Sequence, residues 1–317
     1  MSRRRPTYGD IVRLARHSDW QPADIRNALT TEVYADRRAW LHFARYLLLG
    51  AGAAFLLSGL VFFFAYNWEA LPRLAKLGIA GGLLTLTGLT ALFAPVRQRI
   101  REVLLTATVV LIGVLLAVLG QVYQTGANSY QLFLAWTLFA IPWVLLVPYS
   151  PLWLLFVALL NVTLITYTQQ TGASWSYLAT GHLLFGLNVL IWLALWRLRD
   201  RLPLAEWLTK LVALWATTVV TVNIMSGSFE ASMSQFVLAL ALGASVGAGW
   251  TWLAVHQRSV YYLALVGGAA VLSVTFIFLR FVDLEVYGLL IAGLALIGLT
   301  TLLAGRLQTL TTHWRDS

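Results

Sequence analysis

From about residue 46 onward, the chain is a succession of apolar runs near twenty residues long, separated by short polar breaks. A helix rises 1.5 Å per residue, so about 20 apolar residues cross the ~30 Å hydrocarbon core of a bilayer. Lipid offers no partner to a free backbone N–H or C=O, and a spanning segment must close its hydrogen bonds internally. The pattern predicts an all-α, polytopic integral membrane protein. Composition agrees: 59% of residues are hydrophobic and 11% charged. A soluble domain is nearer half apolar and about a quarter charged, so this chain has too little polar surface to cover itself in water.

Ten spans are predicted, at roughly 46–66, 74–94, 103–122, 131–148, 152–168, 177–196, 208–226, 235–255, 260–279 and 286–304. The transmembrane domain is thus 46–304, preceded by a segment over 1–45 and followed by a tail over 305–317. Spans four and five are divided only by "VPYSP", where Pro148 and Pro151 suit a tight turn. The first apolar run follows a long polar segment and has the length of a span, so it is expected to stay as an anchor.

Charge then sets the orientation. Lys and Arg gather in cytoplasmic loops. With the N-terminus inside, nineteen of the 22 basic residues fall on the inner side, among them Arg97, Arg99, Arg101, Arg197, Arg199 and Arg201. Only Arg73, Lys76 and Arg280 fall outside. Shifting the threading by one span destroys this asymmetry. Both termini are therefore expected in the cytoplasm, with the protein crossing a bacterial inner membrane many times. The net charge of +9 is explained by topology, with membrane lipid as partner and no nucleic acid.

Residues 1–45 read as two short amphipathic helices. Ile11, Leu14, Ala15 and Ser18 mark one face; Pro22 and Asp24 then suit the first turn of a second helix. That helix puts Ile25, Ala28, Leu29 and Val33 on one side and runs on towards the first span. A helix-turn-helix DNA reader is the sharper alternative to a cytoplasmic hairpin lying on the bilayer. The shortness of the segment and its fusion to a span favour the hairpin.

The chain has no cysteine, which removes thiolate chemistry and Cys-based metal sites. No Asp, Glu, Lys or Arg falls in the middle third of any predicted span. Proton pumps and cation-coupled carriers commonly use buried carboxylates, so this argues against both. Neither a His-Glu-x-x-His run nor a phosphate-binding loop is present. No enzyme activity, cofactor or metal is expected.

What remains is neutral polarity. Asn161, Asn188 and Asn223 lie deep in spans five, six and seven, where amides hydrogen-bond across helices or line a polar path. Gly181 shares a helical face with Asn188. The pairs Gly78/Gly82 and Gly243/Gly247 have the spacing of close helix packing or a homodimer contact, and Gly113 and Gly120 are a heptad apart. Tryptophans such as Trp136, Trp143, Trp175 and Trp207 suit an aromatic belt.

The richest polar stretch is "GQVYQTGANSYQ" (120–131), between spans three and four and on the outer side. Gln121, Tyr123, Gln124, Asn128 and Tyr130, with Asn67 and Glu69 at the exit of span one and His182 in span six, form a candidate solute-binding vestibule. The alternative is that these amides and tyrosines cap helices and meet headgroups, with Glu69 paired to Arg73 and His182 bonded to a neighbouring helix.

Two stretches, "FFFAYNW" (62–68) and "GQVYQTGANSYQLFLAWTLFAIPW" (120–143), with "DIRNAL" before them, resemble a family of bacterial predicted membrane proteins, domain of unknown function 2157. The resemblance covers roughly residues 10–150 and implies a membrane protein, without an activity to carry over. The leading functional expectation is a permease-like protein that binds or moves a small polar or amphipathic solute. Its rival is a non-transporting scaffold or lipid-binding component with a membrane-protein partner. A periplasm-active reporter fused after Ser129 is expected to be active, and an inactive fusion would overturn the threading.

Overall fold

The computed structural model describes residues 11, 14–15, 18–33, 37–45, 47–48, 51–52, 55, 62, 70–171, 175–229, 233–281 and 286–316. The chain divides into two compact units, Met1–Pro72 and Arg73–Ser317. Among the described residues every regular element is helical.

In the first unit, helix α1 is Pro22–Ala28, followed by a π-helical turn over Leu29–Val33. Proline opens α1 because its fixed φ suits a first helical position and its missing N–H would have no partner there. Asp24 Oδ2 accepts from the Gln21 N–H at 2.9 Å, which fixes the entry. Ile25, Ala28, Leu29 and Val33 are half-buried while Pro22, Ala23, Asn27 and Thr30 are exposed, the face anticipated from their spacing. Residues 37–45 are again helical. The predicted first span, 46–66, falls largely outside the described residues.

Among the described residues, the second unit holds nine helices long and apolar enough to cross a membrane. They are α2 (Arg73–Phe93), α3 (Gln98–Tyr123), α4 (Ser129–Leu146), α5 (Ser150–Gln170), α6 (Tyr177–Arg197), α7 (Glu206–Gly227), α8 (Met233–Gln257), α9 (Val260–Phe281) and α10 (Val286–Asp316). They correspond one to one with predicted spans two to ten. Leucines such as Leu138, Leu145, Leu190 and Leu294 stand more than half exposed on their outer faces. Apolar surface on that scale belongs against lipid.

Polar contacts between helices fix how the chain alternates. Gln170, at the end of α5, accepts from the Tyr130 N–H at 3.0 Å and donates to Ser129 Oγ at 2.8 Å, at the start of α4. Ser176, before α6, donates to Gln235 Oε1 in the first turn of α8 at 2.8 Å. At the opposite ends of α5 and α7, Ser150 Oγ accepts from the Ala205 N–H at 2.7 Å. The turns after α3 and α5 therefore share one end of the bundle, as up-and-down threading requires.

Helices α2 to α5 pack mainly in sequence, and α7 carries α6, α8 and α9 around it. In the first group Gly113 of α3 leaves a notch that the Trp136 indole fills, and a Cβ there would overlap the ring. The same indole N–H donates to the Val109 carbonyl at 2.7 Å. Trp136 is thus a mid-helix packing group, where the sequence suggested an interfacial belt. In the second group Trp192, Trp250 and Tyr262 form a buried aromatic cluster, and Trp250 Nε1 donates to Thr217 Oγ1 at 2.9 Å. Gly243 admits Ile224 Cδ1 within 2.7 Å of where a Cβ would stand. That places one glycine pair in internal packing. At Gly78 and Gly82 nothing stands within 4 Å of that position among the described residues.

One contact joins the two groups near mid-membrane. Asn161 of α5 and Asn188 of α6 face each other amide to amide, each Nδ2 donating to the other's Oδ1, at 3.2 and 2.6 Å. Each also donates to a carbonyl one turn back on its own helix, at 2.8 Å, and Trp215 Nε1 of α7 is a second donor to Asn161 Oδ1 at 3.1 Å. Cross-helix bonds of this kind contribute about 0.6–1.7 kcal/mol. A double-mutant cycle of Asn161→Leu and Asn188→Leu, followed by unfolding in detergent, is expected to return a coupling of about that size. Strictly additive losses would show that the amides act independently.

Candidate functional site

The turn after α3 is built by backbone requirements. The α3 C-cap, Gln124, takes a left-handed conformation (φ 45°, ψ 49°) and its N–H returns to the Gly120 carbonyl. This is the cap motif that usually falls to glycine. Gly126 follows at φ +63°, also left-handed. The chain then becomes extended at Asn128 and enters α4, where Gln131 Oε1 accepts from the Asn128 N–H at 3.1 Å. Gln131 is therefore a capping residue.

The turn leaves a cavity of about 720 Å³ between the last turns of α3 and the first turns of α4. Gln121, Gln124, Thr125 and Asn128 line its polar rim, and Leu116, Leu132 and Ala135 line its apolar part. Among the described residues, no lining side chain carries a charge. Such a surface can hold an uncharged ligand through amide and hydroxyl hydrogen bonds with an apolar portion beneath.

The remaining predicted residues lie elsewhere. Tyr123 is 63% exposed and does not line the cavity. Tyr130 packs edge-on against Tyr167 with ring centroids 5.6 Å apart, and its N–H is held by Gln170. His182 is on α6, outside this cavity, and its Nε2 is buried without a hydrogen-bond partner. Asn67 and Glu69 fall outside the described residues. The structure thus gathers Gln121, Gln124 and Asn128 and leaves Tyr123, Tyr130 and His182 apart from them. Thr125, a neighbour of the predicted set, joins the rim.

The deep asparagines separate into two kinds. Asn161 and Asn188 saturate one another, as the packing alternative anticipated. Asn223 of α7 is 2% exposed, lies against Gly181 of α6 with no room for a Cβ between them, and its Nδ2 has no acceptor among the described residues. It lines a second cavity of about 590 Å³ with Thr180, Thr218 and Gln169.

A bundle of long apolar helices, with neutral amides at one end and at mid-membrane, defines a polytopic helical membrane protein. Residues 22–153 match the model of a family described as predicted membrane protein, DUF2157, the same family the sequence resembles. No curated protein and no solved structure matches the chain.

The left-handed turn gives a direct test of the cavity wall. A Cβ on Gly126 would meet open space, so only backbone strain opposes it. Gly126→Ala is expected to lower stability by about 1–2 kcal/mol in thermal unfolding, and Gly126→Asn by less. Equal stability of the two variants would show that the turn does not depend on this conformation.

Proposed function

We propose that this protein binds a small, uncharged polar or amphipathic solute in the cavity framed by residues 116–135, from the outer face of a bacterial inner membrane. The observation that carries the reading is the convergence of Gln121, Gln124 and Asn128 on one cavity without charge. Amides offer both donors and acceptors, which suits hydroxyl-, amide- or ester-bearing ligands. The apolar part below suits a short hydrocarbon portion. Binding of this kind is the first step of a permease-like function. The cavity shares no lining residue with the mid-membrane cavities around α7, which favours recognition at the surface over a continuous path.

The test combines uptake and binding. Cells lacking the protein are compared with wild-type cells for accumulation of neutral metabolites. The purified protein is then screened for thermal stabilisation by those that differ. Gln121→Leu is expected to weaken binding of a stabilising solute about tenfold, the loss of one or two hydrogen bonds, while folding normally. If no solute stabilises the wild type and accumulation is unchanged, the reading fails. If Gln121→Leu prevents folding, Gln121 is structural.

A further inference from the structure

The cavity that Asn223 lines does not end at Asn223. Trp215, Thr218 and Ile165 line both it and a cavity of about 550 Å³ nearer the other face. The two are therefore one groove, with α5 and α7 as walls and α6 as floor. All three helices are membrane spans, so lipid is the medium at the groove's mouth.

The groove is graded along its length. Trp175 and Tyr177 stand 42% and 62% exposed at the upper end, residue types that settle at the headgroup level. Asn223 lies one turn below the end of α7, about 6 Å deep, with its Nδ2 buried and unpartnered. Below Trp215 the lining is almost wholly apolar, with Leu154, Val157, Val162 and Leu211. The two mid-membrane amides there, Asn161 and Asn188, have already spent their donors on each other and on the Val157 and Leu184 carbonyls. From Asn223 to Leu211 is twelve residues of helix, about 18 Å, about three-fifths of the ~30 Å hydrocarbon core.

We propose that this groove holds one acyl chain of a membrane glycerolipid, with the ester carbonyl accepting from Asn223 Nδ2 and the chain lying past Trp215 between α5 and α7. The chemistry is specific at one point. Asn223 needs an acceptor at the depth where glycerolipids carry their ester carbonyls, and the groove below accepts only hydrocarbon. A single leaflet supplies both over the length available. This site shares no residue with the loop cavity, and its occupancy does not depend on that cavity's ligand.

The test uses the full chain in nanodiscs of dioleoyl phosphatidylglycerol or of its diether analogue, which lacks the ester carbonyl. Lipid retained after transfer to detergent is counted by native mass spectrometry. Wild-type protein is expected to retain one ester lipid and to retain the diether analogue roughly five- to tenfold less, as for loss of one hydrogen bond. Asn223→Leu should abolish that preference, and Thr218→Trp, which fills the groove, should lower retention of both lipids. Equal retention of ester and ether lipid by the wild type would overturn the proposal even if neither variant folds. Undiminished retention by a folded Thr218→Trp protein would overturn it as well.

Discussion

The reciprocal amide pair of Asn161 and Asn188 is the contact on which the arrangement of this bundle depends. Inside a bilayer, apolar side chains gain little by leaving lipid for one another, so helix association relies on close packing and on hydrogen bonds. Helices α5 and α6 touch far less extensively than α4 with α5 or α6 with α7. The amide pair sits at that thin junction, and the Trp215 indole ties α7 into it. Four amide N–H donors meet four acceptors, the two Oδ1 atoms and the Val157 and Leu184 carbonyls, within a few ångströms. A one-residue rotation of either helix would strand them in hydrocarbon, at a cost of several kcal/mol per group.

The same pair explains why a groove exists beside it. Because α5 and α6 are held at mid-membrane and packed sparsely elsewhere, cavities open between α5 and α7 beside the clamp, while the Ala205 N–H bond to Ser150 Oγ joins the two helices at their starts. Gly181 deepens the upper part, since its missing side chain lets the Asn223 amide lie flat against α6. Thr217 and Thr221 of α7 turn their hydroxyls back to carbonyls at i−4, whereas the Asn223 amide nitrogen finds no acceptor among the described residues. Threonine hydroxyls in this interior are mostly satisfied within their own helix, and Asn223 is an amide whose donor is left facing a cavity.

Much of the fold was legible in the sequence because hydrophobic length responds to the membrane itself. Nine helices follow the predicted spans. Where bounds differ, the cause is physical: α3 begins at Gln98, ahead of the predicted 103, because Arg99, Arg101 and Glu102 are helical while too polar for hydrocarbon. The site was partly legible. Spacing put Gln121 and Gln124 together, and the turn brought Asn128 to them. The placement of Tyr130 beside Tyr167, and of His182 away from the loop, depends on how helices rotate about their axes. So do the fits of Trp136 into Gly113 and of Asn223 against Gly181. Those rotations are set by contacts between residues 20 to 60 positions apart, which periodicity along one helix does not encode.

Helix α10 has a consequence of its own. Its 31 residues form a rod about 46 Å long, half as long again as the ~30 Å hydrocarbon layer. No loop intervenes between the apolar part and the final turns that carry Arg306 and Trp314. The rod therefore projects from the bilayer as a stiff lever, and a change of tilt within the membrane becomes a sideways sweep of its polar end.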